Sequence, residues 1–235
     1  MQQEIRYQEL DASKIITTIE SIARRIDERF PGSGLHAVSL KLLQVSQRAT
    51  QQAEWINKPI LALRVATGVL ILMIIAALFA TLMNMTNPTQ SIKLLDFIQI
   101  LESGINDLVL IGIGIYFLVS AEARFKRHRA LKAIHELRAI AHIIDMHQLS
   151  KDPDRMRWEI SGDLKPTQNL TPLQLNRYLE YCTEMLSLVG KVCVLYVQKF
   201  DDPIALAAVN EVENLTTGLT RKIWQKMMIS HRGLD

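Results

Sequence analysis

Apolar residues recur at intervals of three and four along the first sixty residues, the spacing that places side chains on one face of an α-helix. A first apolar stripe ends at a Pro-Gly-Ser-Gly turn, residues 31–34, and a second runs to a break at residues 57–59. The stripes comprise Ile15, Ile16, Ile19, Ile22, Ile26 and Phe30, then Leu35, Val38, Leu42, Val45, Ala49, Ala53 and Ile56. The pattern predicts that residues 1–58 form a helical hairpin near a membrane surface.

Two longer apolar segments follow, and the first is uncharged over nineteen residues, 65–83. At about 1.5 Å per helical residue it spans the roughly 30 Å hydrocarbon layer, and it starts too far along the chain for a cleaved export signal. The second segment, residues 108–121, is short for a span and must extend upstream to Ile105 or even Ile98. We therefore expect a two-helix transmembrane region, residues 59–121, with an external connection at residues 84–104.

Basic residues are concentrated on one side of these two predicted spans. The connection between the spans carries only Lys93, whereas the flanking sequences carry Arg48, Lys58, Arg64, Arg124, Lys126, Arg127, Arg129 and Lys132. Because cytoplasmic flanks carry an excess of Lys and Arg, we expect both termini in the cytoplasm of a bacterial-type inner (plasma) membrane. This topology explains the basic cluster better than nucleic-acid binding does. The residues expected to meet anionic lipid head groups are Arg124, Lys126, Arg127 and Arg129.

Helical periodicity continues through residues 122–235. The second span lacks a helix breaker before Gln148, a long connection follows at residues 150–170, and Thr171-Pro172 and Asp202-Pro203 mark two helix starts. A heptad-like seam follows the first of these starts, formed by Leu175, Leu179, Cys182, Leu186, Val189, Cys193 and Tyr196. Residues 185–197 are too short, and interrupted by Lys191, for a third span. The predicted fold is an all-α integral membrane protein with two transmembrane helices and a cytoplasmic helical bundle.

The composition agrees with a folded chain held in a reducing compartment. Of 235 residues, 49% are hydrophobic and 22% charged, which excludes a disordered chain. The two cysteines, Cys182 and Cys193, are eleven residues apart on one predicted helix. Their separation of about 16 Å along the axis is too large for a disulfide, which needs Cα atoms within about 7 Å. We expect both to be reduced residues of the core.

The spacing of the histidines weakly suggests a metal site. His128, His135 and His142 are seven residues apart, whereas two zinc ligands on one helix are usually four apart. Only His142 with Asp145 could chelate from one helix, so a site at His135, His142 and Asp145 needs ligands from elsewhere or from another subunit. The alternatives are histidines that border the apolar face and hydrogen-bond to neighbouring helices, or a protonation switch.

Acidic and small residues in the predicted spans allow two further interpretations. Glu102 and Asp107 stand at the outer end of the second span, where carboxylates in cation channels concentrate cations at the pore mouth. An ordinary interfacial turn in water is the favoured interpretation, because the uncharged run begins only at Leu108. Gly68, Gly112 and Gly114 are typical of helix packing in lipid, because small residues let helices approach closely.

The sequence contains no glycine-rich phosphate loop, no nucleophile elbow and no CxxC pair. Catalysis is therefore the least supported function. The leading hypothesis is a homo-oligomeric inner-membrane protein that presents a cytoplasmic helical scaffold or sensor domain, associating through the seam and the small-residue faces. The alternatives are a cation-conducting channel lined by the second span and a metal-binding membrane protein. No organic cofactor is expected, and a divalent metal only in the last case.

Overall fold

The computed structural model describes residues 9–85, 94–149 and 170–232, and within these ranges the chain forms helices and no strand. The helices, in chain order, are α1 (Ala12–Arg29), α2 (Gly34–Asn57), α3 (Leu61–Met85), α4 (Leu94–Leu149), α5 (Pro172–Leu195) and α6 (Pro203–Arg232). The all-α prediction is confirmed. Two connections, residues 86–93 and 150–169, lie outside the described residues, so the predictions for them stay predictions.

The helices divide into two compact units. The bundle unit joins Met1–Asn57 to Arg129–Asp235, and the apolar unit is Lys58–His128. In the bundle unit α5 packs against α1, α2 and α6. The hairpin expected for residues 1–58 is therefore built into the bundle, because its two apolar stripes are buried against α5 and not only against each other.

Three helices of the bundle unit begin at side chains that cap them. Asp11 accepts hydrogen bonds from the Ser13 hydroxyl and from the backbone nitrogens of Ser13 and Lys14. These bonds, that of the hydroxyl foremost, hold the pKa of its carboxyl below the usual range. Thr171 and Gln174 form a reciprocal capping box at α5. Asp202 accepts from two backbone nitrogens in the first turn of α6. The helix starts predicted at Thr171 and Asp202 are confirmed.

The seam of α5 forms the centre of the core. All seven of its residues are at most 2% exposed, and residues 185–197 lie largely within the core, in keeping with the rejection of a third span. Each fully buried leucine contributes about 1.5–3 kcal/mol. The expectation that this seam joins two copies is wrong, because α1, α2 and α6 of the same chain already cover it.

The apolar unit contains α3 and the first part of α4. Both are long and apolar enough to cross a membrane, judged by length and composition. α4 begins at Leu94, so residues 94–104, which the sequence assigned to the external connection, are helical. The polar residues Asp96 and Gln99 interrupt the apolar pattern there, but they do not interrupt the helix, because helix formation needs backbone geometry rather than continuous hydrophobicity.

Candidate functional site

A cavity of about 460 Å³ opens in the bundle unit between α2 and the part of α4 that belongs to this unit. Three cationic side chains line it, Arg48 from α2 and Arg129 and Lys132 from α4. One carboxylate, that of Glu136, lines it as well. The formal charge of the lining is therefore positive. We refer to this cavity as the basic pocket.

Glu136 is the centre of an ion-pair cluster at this pocket. Its Oε1 lies 3.1 Å from Nη2 of Arg48 and 3.2 Å from Nζ of Lys41. Both pairs are partly exposed, so each contributes little to stability. The pair with Glu136 and a hydrogen bond to the backbone oxygen of Gln44 hold the Arg48 guanidinium beside the cavity. The carboxylate charge is thereby offset by two cations.

Aromatic and amide side chains complete the pocket wall. The Arg129 guanidinium lies 4.0 Å from the centre of the Trp55 ring, a cation–π contact. The buried Tyr196 hydroxyl donates a hydrogen bond to Oε1 of Gln52, with 3.2 Å between the oxygens. This bond fixes which end of the Gln52 amide faces Tyr196. Burial raises the pKa of Tyr196 above its ordinary value, so its hydroxyl remains a donor at neutral pH.

The predicted basic cluster is divided between different environments. Lys126 is buried and its Nζ lies 2.9 Å from Oε1 of Glu122, which removes it from the exposed basic surface. Arg124 is exposed, donates to the Ser120 hydroxyl and lies over the Phe117 ring. Arg129 is exposed and lines the basic pocket, as described above. Contact of this cluster with lipid head groups stays a prediction.

The histidines predicted as metal ligands are exposed on α4. His135 and His142 both present their side chains to solvent, and Asp145 accepts a hydrogen bond of 2.6 Å from Nε2 of Gln148. Among the described residues, no three His, Cys, Asp or Glu side chains are grouped so that they could hold a metal ion. A metal site completed by another copy stays a prediction.

The residues predicted for a pore mouth and for helix packing have few contacts. Glu102 is exposed, and the side chain of Asp107 lies outside the described residues. A Cβ atom added at Gly68, Gly112 or Gly114 would meet no described atom within 4 Å. These glycines therefore mediate no close approach in the described part of one chain. Their contact with a second copy, and a pore, stay predictions.

The cysteines are inert core residues. Cys182 and Cys193 are free and buried, as the sequence predicts. Burial raises the pKa of each thiol to about 12. Because the thiolate is the reactive form, neither is suited to nucleophilic or redox chemistry at neutral pH.

Sequence reasoning did not recognise the basic pocket, although its residues follow helical spacing. Gln52 and Trp55 share one face of α2 with Arg48, and Lys132 precedes Glu136 by four residues on α4. That spacing shows which side chains share a face. It does not show that these two faces meet.

Comparison of the chain with protein-family models, with curated proteins and with solved structures finds no match.

Proposed function

We propose that this protein is a homo-oligomeric inner-membrane protein that presents its helical bundle in the cytoplasm as a scaffold or sensor, without catalytic activity. The observation that carries the proposal is the exposed apolar surface of α3 and α4. Leu72, Leu108 and Tyr116 are 68%, 69% and 73% exposed, and many apolar neighbours are exposed with them. Removing apolar surface from water is favourable by about 25 cal/mol per Å², so such a surface is unfavourable in water and favourable in hydrocarbon.

The continuity of α4 supports a role in presenting or sensing. Its apolar residues 108–121 belong to the apolar unit, whereas Ile134, Leu137 and Ile144 of the same helix are buried in the bundle core. A single hydrogen-bonded helix thus connects the proposed anchor with the core of the bundle.

Self-association is assigned in this proposal to the apolar helices. The α5 seam is covered within one chain, so it offers no surface to a second copy. Among the described atoms, none lies within 4 Å of a Cβ added at Gly68, Gly112 or Gly114, so these positions can accept a neighbouring helix. In lipid, where apolar surface alone gives little drive for association, small residues allow the close backbone contact that holds helices together.

The oligomer is tested by light scattering of the purified full chain in a mild detergent. We expect a mass above that of one 26.7 kDa chain. The double substitution Gly112→Leu with Gly114→Leu should shift the mass towards the monomer, because two large side chains prevent close approach. Gly104→Leu, which lies before the apolar segment of the same helix, is the matched control and should leave the mass unchanged. A wild-type protein that is monomeric at every concentration contradicts self-association.

A further inference from the structure

Two acceptor oxygens of the basic pocket are already engaged. Oε1 of Glu136 is shared by Lys41 and Arg48, at 3.2 and 3.1 Å. Oε1 of Gln52 accepts the hydrogen bond of the Tyr196 hydroxyl. A ligand that needs to donate hydrogen bonds therefore finds fewer partners here than a ligand that accepts them. The amide nitrogen of Gln52 is left as a donor.

The donor groups are more numerous and carry positive charge, although Arg48 already pairs with Glu136 and donates to the backbone oxygen of Gln44. Arg48 and Arg129 each carry a fork of N–H groups, and Lys132 adds an ammonium group. Within the described part of the chain, Lys132 makes no hydrogen bond or ion pair, and its side chain is exposed at the pocket. The contact with Trp55 holds the Arg129 guanidinium over the ring. The pocket thus matches a ligand that is anionic and rich in acceptor oxygens.

The geometry points to a binding site for an organic phosphate group in the basic pocket, held by Arg48, Arg129 and Lys132. Phosphate oxygens accept charge-assisted hydrogen bonds from guanidinium and ammonium groups, which are about twice as strong as neutral ones. The volume of about 460 Å³ is within the range of small-molecule sites and exceeds the needs of a bare phosphate ion. A phosphate ester with part of its organic group therefore fits better than inorganic phosphate.

Two sources could supply this group, an anionic phospholipid head group or a small soluble phosphate ester. Along the chain, Trp55 shortly precedes the apolar helix α3, and Arg129 shortly follows the apolar segment of α4. Residues at such positions commonly meet head groups in membrane proteins. The inference goes beyond the proposed scaffold function, since it applies whether or not the protein self-associates.

Native mass spectrometry of the full chain, released from detergent, counts bound ligands directly. Three titrations are compared: phosphatidylglycerol, zwitterionic phosphatidylcholine and glycerol 3-phosphate. Each is carried out on the wild type, on Lys132→Gln, and on Lys222→Gln. Lys222 is an exposed residue of α6 that does not line the pocket, so its substitution removes the same charge elsewhere. Unchanged circular-dichroism melting curves establish that both variants are folded.

We expect an anionic phosphate probe to bind at one saturable site. Lys132→Gln should lower the affinity of the probe about tenfold through loss of one charge-assisted hydrogen bond, and Lys222→Gln should leave the affinity unchanged. The combination Arg129→Gln with Lys132→Gln should weaken it further. Saturable binding of phosphatidylglycerol alone identifies a lipid head group, and saturable binding of glycerol 3-phosphate identifies a soluble ester. Absence of saturable binding by both probes overturns the inference. Equal effects of Lys132→Gln and Lys222→Gln overturn it as well, because they show only non-specific charge attraction.

Discussion

The carboxylate of Glu122 on α4 accepts a hydrogen bond from the backbone nitrogen of Ile60, with 3.3 Å between Oε1 and that nitrogen. Ile60 immediately precedes α3, so this side chain satisfies one of the N–H groups left unpaired at a helix start. The same carboxylate pairs with Arg64, at 3.3 Å, and with Lys126, at 2.9 Å. Glu122 therefore joins the start of α3 to α4 by two contacts within the apolar unit, and its pair with Lys126 lies inside α4.

Replacing Glu122 should destabilise the protein strongly. Lys126 and Glu122 have side chains only 11% and 17% exposed, so Glu122→Gln leaves a largely buried ammonium group without its carboxylate. Breaking such a pair costs about 3 kcal/mol, the lower end of the range for buried pairs. Thermal or denaturant unfolding in detergent measures the loss.

The matched control for this substitution is Glu211→Gln. The pair between Arg138 and Glu211 has side chains 48% and 67% exposed, and we expect a change within about 0.5 kcal/mol. Equal losses of stability in Glu122→Gln and Glu211→Gln would contradict the prediction that the contacts of Glu122 stabilise the protein more than an exposed ion pair does.

Gly34 and Gly218 should respond in opposite directions to alanine. A methyl group at Gly34 would overlap the imidazole of His147, whereas one at Gly218 would meet no described atom within 4 Å. Gly34→Ala should cost about 1 kcal/mol, because the added methyl group forces the His147 imidazole to move. Gly218→Ala, inside α6, should add about 0.5–1 kcal/mol because glycine is unfavourable in helix interiors. Melting curves of the two variants test the packing of α2 against the end of α4, and a stabilising Gly34→Ala would contradict it.

Local rules predicted most of the bundle helices, because their signals lie in adjacent residues. The start at Thr171 and Pro172 combines a side-chain acceptor with a residue that needs no N–H partner, and both properties are visible in sequence. The stripes around Ile19 and Leu42 identify buried faces in the same way. Such signals do not identify the partner of a face. The α5 seam was therefore assigned to a second copy when α1, α2 and α6 cover it.

The basic pocket could not be predicted from the sequence for the same reason. Arg48 and Lys132 are separated by a long stretch of sequence and come together only when α2 packs beside α4. In the sequence, membrane topology already explains each basic residue, because the positive-inside rule requires positive charge but does not indicate which side chain each residue contacts. The burial of Lys126 was equally hidden, although its spacing of four residues from Glu122 is the usual one for a helical ion pair.

The core thiols should be unreactive until the protein unfolds. Burial raises the pKa of Cys182 from 9.0 to about 12, so the thiolate fraction in the folded state is minute at pH 8. A thiol reagent should modify Cys182 and Cys193 of denatured protein and leave the native protein unmodified over the same period. Native reaction at the rate of a free thiol would contradict their burial.

The same raised pKa predicts how stability depends on alkaline pH. The folded state keeps its thiol protons while the unfolded state releases them, so stability is fully present below about pH 9 and falls as pH rises towards the folded pKa of about 12. Unfolding curves of Cys182→Ala and wild type between pH 8 and 10.5 measure this difference. The wild type should lose more stability over that range, and parallel curves would contradict the prediction.

The topology of α3 and α4 is tested most directly by paired reporter fusions in a bacterial host. One reporter is inserted at Asn87, between the two apolar helices, and another is fused after Asp235. Alkaline phosphatase is active only outside the cytoplasm, and green fluorescent protein fused by the same route fluoresces only inside. We predict phosphatase activity at Asn87 and fluorescence after Asp235, because the basic flanks hold both termini in the cytoplasm. Reporters that place both positions on the same side would contradict the membrane-anchored bundle, since at least one apolar helix would then not cross the membrane.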